Sequence, residues 1–251
     1  MYDWPEVAWA NDELWTAIAE RLNATGIAAP SAIDRAREAD SVWRDPGLVV
    51  SQTCGLPFST RLRGMVRLVA VPAYAVAGCE GPRFSSMIIA RSGEPVEEIG
   101  SFAGRRFAYN NADSLSGHVV LRVAMKEAGL NPTKVEWIET GSHRGSIRAV
   151  AGEGADIAAI DAVCWALALR HEAESASRLK VIAVTPLRPG LPLVTAVGRS
   201  NRDVATIRAA LSGALSDPAT KRARDALRIA GLGALDEWDY APIAALARHL
   251  N

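Results

Sequence analysis

The sequence lacks a long hydrophobic run, since no stretch approaches the roughly 18 consecutive apolar residues of a transmembrane helix. It also lacks an excess of charge, because 28 Lys and Arg residues balance 28 Asp and Glu residues. A balanced chain does not favour a broad nucleic-acid surface or a polybasic membrane surface. We therefore expect no nucleic-acid partner and no membrane insertion. With 49% hydrophobic residues, the chain is also too apolar for a disordered protein.

Cysteine is scarce: the chain has three, and no CxxC pair, so the common zinc and dithiol redox motifs are not supported. Cys54 and Cys79 lie in turn-rich stretches that contain Gly and Pro. Cys164 lies inside an apolar run and is predicted to be a small core residue.

The amino terminus lacks the basic start and apolar segment of a secretory leader. The expected location therefore depends on where the natural chain begins. If a leader precedes Met1, we expect a periplasmic or extracytoplasmic protein. If the chain is complete as it stands, we expect a cytoplasmic one.

Common catalytic and nucleotide-binding motifs are absent: the sequence contains no HExxH, GxxxxGK[ST], GxGxxG or GxSxG pattern. A triad of Ser116, His143 and Asp161, with Ser114 as another nucleophile, can be drawn on paper. Three such residues occur by chance in a chain of this length. We therefore expect a protein that is not an enzyme and that needs no cofactor and no metal.

Short apolar segments alternate with helical periods through most of the chain. Strands are predicted over 48–50, 66–71, 86–91, 106–109, 135–139, 156–160 and 180–185. Helices are predicted over 117–128, 144–151 and 162–169, and in the last third over 204–215, 219–230 and 242–250. Strands separated by helices of about ten residues are typical of parallel sheets, so the predicted class is α/β.

Two stretches rich in Gly and Pro predict crossings between two lobes: 81–85 and 186–192. The first lobe would comprise residues 1–83 and 187–251, and the second, inserted lobe residues 84–186. Two α/β lobes joined by two crossing strands form a hinged clamp with a ligand cleft.

Polar residues follow two predicted strands and precede helices. After the strand 106–109 come Ser114, Ser116 and Gly117, where free backbone N–H groups, hydroxyls and the helix dipole favour an anion. An ordinary helix cap explains this stretch equally well. His143 follows the strand 135–139 and can donate to an oxyanion, or it lies in a surface loop.

Two further stretches lie at strand ends. Asp161 ends a buried strand, where α/β proteins place ligand groups, and it can also cap the next helix. Cys54 and Gly55 belong to a turn at a strand end of the first lobe, whose N–H groups could face the cleft.

These pieces together resemble the PhnD-like phosphonate and phosphate substrate-binding proteins of ABC transporters. The resemblance rests on Ser114-x-Ser116-Gly117, Gly141-Ser142-His143, Gly154-Ala155-Asp156 and Ala159-Ile160-Asp161, in that order. The stretch 185–192 is similar to the family's second crossing. The resemblance covers most of the chain, from Gln52 to Leu193.

The resemblance implies the type II periplasmic-binding-protein fold and a small anionic or zwitterionic ligand, delivered to an ABC permease by a monomer. It implies that Ser114, Ser116, the N–H groups near Gly117 and His143 surround an oxyanion, with Asp161 in the cleft. The turn of Cys54 and Gly55 would close from the other lobe. The implied ligand set also includes Leu115, Tyr2 and Tyr109. Export to an oxidising compartment would allow a Cys54–Cys79 disulfide.

The sequence departs from the family where the usual Ser-Thr-Ser is Ser114-Leu115-Ser116, which removes one hydroxyl. An apolar Leu115 favours an organic ligand over bare phosphate. The extra carboxylates of aminophosphonate binders are missing, since Val163 and Leu191 stand in the corresponding regions. Two alternatives stay open: a sensor or effector domain of the same fold, and a binding protein or enzyme of the thiamin-pyrimidine type.

Overall fold

The computed structural model describes residues 2–95 and 98–248. The strands are β1 Ser51–Gln52, β2 Val66–Tyr74, β3 Cys79–Glu80, β4 Arg83–Phe84, β5 Ser86–Arg91, β6 Arg106–Tyr109, β7 Glu136–Glu139, β8 Ile157–Asp161, β9 Leu179–Val184, β10 Arg188–Pro189, β11 Leu193–Ala196 and β12 Ile229–Gly233. The α-helices are α1 Ala8–Ala24, α2 Ala39–Trp43, α3 Gly55–Ser59, α4 Val120–Glu127, α5 His143–Ala151, α6 Ala162–His171, α7 Ala173–Ser177, α8 Asn201–Ser216, α9 Lys221–Leu227 and α10 Ala241–Arg248.

The chain divides into two compact units. Unit 1 comprises the residues up to Ala75 together with Pro189–Ala241, and unit 2 comprises Val76–Arg188 together with the residues from Pro242 on. The sequence placed the crossings after residues 83 and 186 and assigned the last helix to the first lobe. In the structure the residues from Pro242 on group with unit 2 instead. Ile243 and Ala244 are the buried residues of this helix.

Unit 1 contains an antiparallel sheet in the order β1–β11–β2–β12. Helices α1 and α8 pack on each other and supply much of its core. Apolar residues spaced three and four apart give each helix one buried stripe. The buried cluster consists of Ile18, Leu22, Ile27, Val49, Val69, Ala70, Ile207, Ala210, Leu211 and Ala214.

Strand β2 runs through Pro72, where the sequence predicted that it would stop. Its pairing with β11 covers Val66 to Ala70, and its pairing with β12 covers Val71 to Tyr74. At Pro72 the strand therefore has a partner on one side, and the missing N–H can face the other. The strand predicted at 48–50 is not observed there, and β1 begins directly after it, at Ser51. Strand β12 begins inside the helix that was predicted over 219–230.

Unit 2 contains a sheet in the order β7–β6–β8–β5–β9. Strands β6, β7 and β8 run parallel, and β5 is antiparallel to both β8 and β9. All five residues of β8 are buried, as expected for a strand with helices on both faces. Strand β5 has the bounds that the sequence predicted.

The carboxyl ends of β6, β7 and β8 and the start of β5 lie at one edge of this sheet, because Ser86 pairs with Asp161. We call this edge the carboxyl edge. The helical segments that follow β6, β7 and β8 each begin there, so their N-terminal N–H groups converge on one region.

Candidate functional site

The segment after β6 begins with a π-helical turn, Leu115–Val119, whose N-cap is Ser114. The Ser114 Oγ accepts a hydrogen bond from the Gly117 N–H at 3.0 Å. Its hydroxyl proton is not used in this bond and can be donated elsewhere. The Gly117 N–H, which the sequence assigned to an oxyanion, is therefore occupied by the cap. The amides of Leu115 and Ser116 begin the turn and have no partner within a helix.

Ser116 and His143 meet at the carboxyl edge, where the Ser116 Oγ and the His143 Nε2 are 2.9 Å apart. Burial lowers the pKa of His143 to about 4, and the backbone of Ala159 acts in the opposite direction. The imidazole is therefore neutral at pH 7 and has one N–H. The tautomer decides whether the ring donates to Ser116, leaving the hydroxyl proton for a ligand, or accepts that proton.

Gly117 allows two side chains to approach the turn. A Cβ at this position would lie 2.1 Å from the Asn110 Oδ1 and 3.0 Å from the His143 Cε1. The first distance is impossible for a real side chain, so any residue larger than Gly would displace the Asn110 amide. The glycine of the Ser-x-Ser-Gly motif is thus required by packing.

Asn110 is a polar residue of this edge that the sequence did not single out. It follows β6 directly and is only 8% exposed. Its Oδ1 is buried and has no hydrogen-bond partner within the described part of the chain, and the same holds for the Ser86 Oγ. Buried polar atoms are usually paired, so these two are exceptions that require an explanation. The one signal in the sequence that could have identified Asn110 is its position directly after the predicted strand 106–109.

Asp161 ends β8 and caps α6, as the sequence predicted for its place in the chain. Its Oδ1 accepts the N–H groups of Val163 at 2.8 Å and Cys164 at 3.3 Å. The carboxylate is 1% exposed. Burial and the nearby Asp161 charge raise the pKa of the Cys79 thiol to about 12. Asp161 therefore places a negative charge at the carboxyl edge.

Two positive side chains of α5 near this edge are engaged elsewhere. Arg144, in the first turn of α5, donates to Glu172, and Arg148 donates to the same carboxylate at 2.6 Å. Arg188 on β10 differs from them, because its Nε is buried and has no hydrogen-bond partner within the described part of the chain. At the opposite end of the sheet, Asp156 receives hydrogen bonds from Arg91 and Arg106, so its pKa lies well below the usual range despite burial.

Two residues of the expected ligand set, Tyr109 and Leu115, have their side chains in contact with other parts of the protein. The Tyr109 hydroxyl donates to the Glu139 Oε2 at 3.2 Å, and its ring stacks on His118 at 4.7 Å. Burial and Glu139 raise the pKa of this tyrosine. The Leu115 side chain is fully buried.

The other expected residues belong to unit 1. Tyr2 is buried edge-to-face against Tyr74, with ring centroids 5.1 Å apart. Cys54 precedes α3, and Gly55 is its first residue; both are buried. Cys54, Cys79 and Cys164 are all free thiols, so the structure does not contain the expected Cys54–Cys79 disulfide.

A second concave region lies at the opposite end of the unit 2 sheet, where β5 ends. This depression has a volume of about 480 Å³ and is lined by Arg91, Glu94, Glu153 and Arg178, among others. Its charges pair with groups around it: Arg91 bonds Asp156 at 2.8 Å, and Arg178 bonds Glu174 at 2.8 Å.

Metal and membrane features were also sought within residues 2–95 and 98–248. There, no group of three or more His, Cys, Asp or Glu side chains is arranged to hold a metal ion. Among the helices of these residues, none combines the length and apolar character needed to cross a bilayer.

Comparison with known proteins gives one family and several structures. Residues 59–240 match the family model described as "ABC transporter, phosphonate, periplasmic substrate-binding protein". No curated protein matches the chain. A binding-protein component of an ABC phosphonate transporter from Pseudomonas aeruginosa is 19% identical, with a TM-score of 0.75 over 94% of this chain and 80% of that one.

Two other structures are similar. PhnD1 from Prochlorococcus marinus, in complex with methylphosphonate, has a TM-score of 0.75 at 16% identity, over 96% of this chain and 93% of that one. A Xanthomonas citri protein bound to ATP has a TM-score of 0.74 at 17% identity, over 97% and 95%. At these identities the TM-scores show the fold alone, which is the α/β fold of type II periplasmic binding proteins, as the sequence predicted.

Proposed function

The chain belongs to the family of periplasmic substrate-binding proteins of phosphonate ABC transporters, and from this premise we propose that the carboxyl edge of unit 2 binds the oxyanion of a phosphonate. The protein is the solute-binding component of an ABC importer, with a permease as its partner. The periplasm is where the family acts, and we propose the same location for this protein.

One observation supports this site above the others: two serine hydroxyls and a neutral imidazole meet at the start of a helical turn. The Ser114 Oγ accepts the Gly117 N–H as the helix cap and can still donate its own proton. The Ser116 Oγ lies 2.9 Å from the His143 Nε2. The Leu115 and Ser116 amides add two N–H donors. Oriented neutral donors bind an oxyanion without a formal positive charge.

We further propose that the protein binds and releases its ligand unchanged. The Ser116–His143 pair, with Nε2 facing Ser116, resembles the first two members of a catalytic triad, but the buried Asp161 carboxylate caps α6. A hydrolytic triad requires the carboxylate to orient the imidazole.

The proposal is tested by titration calorimetry of the purified protein with methylphosphonate, phosphite, phosphate, ATP and a thiamin-type pyrimidine. We expect a saturable heat with methylphosphonate, because PhnD1 is in complex with that ligand. Saturation by ATP alone would favour a nucleotide ligand, as in the Xanthomonas citri structure. Saturation by the pyrimidine alone would contradict the oxyanion site.

The variant Ser116→Ala removes one hydroxyl donor and leaves the backbone unchanged. We expect methylphosphonate affinity to fall by roughly 10-fold to 100-fold, corresponding to the loss of one hydrogen bond to a charged group. Ser101→Ala, at an exposed position of unit 2, serves as the matched control and should bind normally. Equal affinity of both variants would exclude Ser116 from the site.

A further inference from the structure

We propose that the carboxyl edge selects a ligand that donates a hydrogen bond, namely the singly protonated form of the phosphonate group, and that Asn110 accepts this bond. The inference rests on the proposed function and adds the protonation state of the ligand. It assigns a specificity role to a residue outside the Ser114–Ser116–His143 group.

The first argument is the unsatisfied oxygen of Asn110. The side chain is 8% exposed, and its Oδ1 has no partner in the described part of the chain. An amide oxygen is an acceptor only, so a ligand atom that satisfies it must bring a proton. A fully ionised phosphonate has acceptor oxygens alone and would leave Oδ1 unpaired.

The second argument is the placement of this oxygen among the oxyanion donors. Gly117 has no Cβ, and the space that a Cβ would take lies 2.1 Å from the Asn110 Oδ1 and 3.0 Å from the His143 Cε1. Asn110 therefore packs against the same turn that begins with the Leu115 and Ser116 amides. A ligand bound through those donors has its remaining oxygen close to an acceptor.

The third argument is charge. Asp161 is buried at this edge, His143 is neutral, and Arg188 on β10 has a buried Nε without a partner in the described part of the chain. Asp161 repels a monoanion about half as strongly as it repels a dianion at the same place. The O–H of the monoanion also supplies the missing donor.

The titratable and charged groups near this edge come from every neighbouring element. They are Tyr109, Asp113, His118 and Arg122 on the segment after β6, His143 and Arg144 on α5, Asp161 and Cys164 at the start of α6, Cys79 and Glu80 on β3, Arg83 on β4 and Arg188 on β10. Among the cations, Arg144 donates to Glu172 and Arg122 lies beside His118, whereas the Arg188 Nε is buried without a partner in the described part of the chain.

The test compares methylphosphonate with methanesulfonate by calorimetry on the unmodified protein, at a pH below the second pKa of methylphosphonate. The two ligands then have the same shape and the same single charge, but only the phosphonate has an O–H. We expect methanesulfonate to bind roughly 100-fold more weakly, since a site built for a donor rejects an analogue that lacks it. Equal affinity for both would overturn the inference while leaving the oxyanion site intact.

A pH series gives an independent readout. Above the second pKa of methylphosphonate, the monoanion fraction falls about tenfold per pH unit, and we expect the observed affinity to fall in parallel. A ligand with a higher second pKa should shift this decline to higher pH. Affinity that rises with pH would contradict the inference, and no binding of any phosphonate at any pH would remove the proposed function with it.

The variant Asn110→Leu replaces the amide by an apolar group of similar size. We expect it to lose the preference for methylphosphonate over methanesulfonate, and Asn111→Leu, at the exposed neighbouring position, to keep it. Retention of the full preference in Asn110→Leu would assign the selection to another group. If this variant fails to fold, the ligand comparison and the pH series on the unmodified protein still decide.

Discussion

Single atoms decide what the carboxyl edge can bind. The Ser114 Oγ accepts a hydrogen bond from one N–H and still has its own proton to donate. The Ser116 Oγ lies 2.9 Å from the His143 Nε2. The Asn110 Oδ1 is buried and has no hydrogen-bond partner within the described part of the chain. None of these groups has a formal charge. Each of them acts on an anion through an oriented dipole, which is strong only where water is excluded.

The half-buried imidazole of His143 makes stability depend on pH in a definite direction. His143 has a pKa of about 4 in the folded chain, below its ordinary value of 6.5. Above pH 6.5 the ring is neutral in both states and has no effect. As pH falls from 6.5 to about 4, the unfolded chain binds a proton that the folded chain does not, so the free energy of unfolding decreases.

Equilibrium denaturation of His143→Gln across this pH range tests the effect. We expect a flatter profile than for the unmodified protein, with a difference of at most about 3 kcal/mol at the acidic end. Burial also lowers the pKa of His118, so His118→Gln is the matched control and should keep the part due to His143. Identical slopes for His143→Gln and the unmodified protein would show that the ring is accessible to protons.

At the scale of elements, the π-helical turn Leu115–Val119 organises the site. Its N-cap is Ser114, its first two amides have no partner within a helix, and its glycine allows Asn110 and His143 to approach. A regular α-helix from the same start would direct these residues differently, because each turn of a π-helix contains an additional residue. Turns of this kind are frequent at functional sites.

The variant Gly117→Ala tests the close approach. The added Cβ must push the Asn110 amide away, and we expect destabilisation of about 1–3 kcal/mol together with loss of methylphosphonate binding. Gly93→Ala is the control, because its Cβ would have no atom within 4 Å. Normal binding by a folded Gly117→Ala protein would show that Asn110 can move without consequence.

The sequence predicted much of the framework of unit 2 and part of the site. Periodic apolar runs located β5 and β6 with their observed bounds, because a buried strand needs a short continuous apolar segment. Strand β12 was missed because its residues read as the end of a helix, and pairing with β2 overrides that local preference. Long-range pairing of this kind leaves no local pattern.

For the candidate site too, the sequence indicated individual residues but not the contacts between them. Ser116 and His143 lie 27 residues apart, and the motif order located both, but only the fold shows that their side chains meet. The role of Gly117 was assigned to its N–H, whereas the structure shows that its missing side chain matters. Asn110 escaped notice because an unpaired oxygen is a property of packing, which sequence alone does not contain.

At the scale of the whole molecule, the chain forms two units, each built from two separated segments. Each unit has its own sheet, and the parallel strands lie in unit 2. Ligands of open α/β sheets bind at the carboxyl ends of strands, which is why we propose the oxyanion site in unit 2. The depression at the other end of that sheet offers charged groups already paired with each other.

The most direct test of the central claim is a crystal structure of the protein with methylphosphonate. The account predicts phosphonate oxygens within hydrogen-bonding distance, about 3 Å, of the Ser114 and Ser116 hydroxyls, with one oxygen facing Asn110. Methylphosphonate bound instead among Arg91, Glu94 and Arg178, with the Ser116–His143 pair free of ligand, would contradict it.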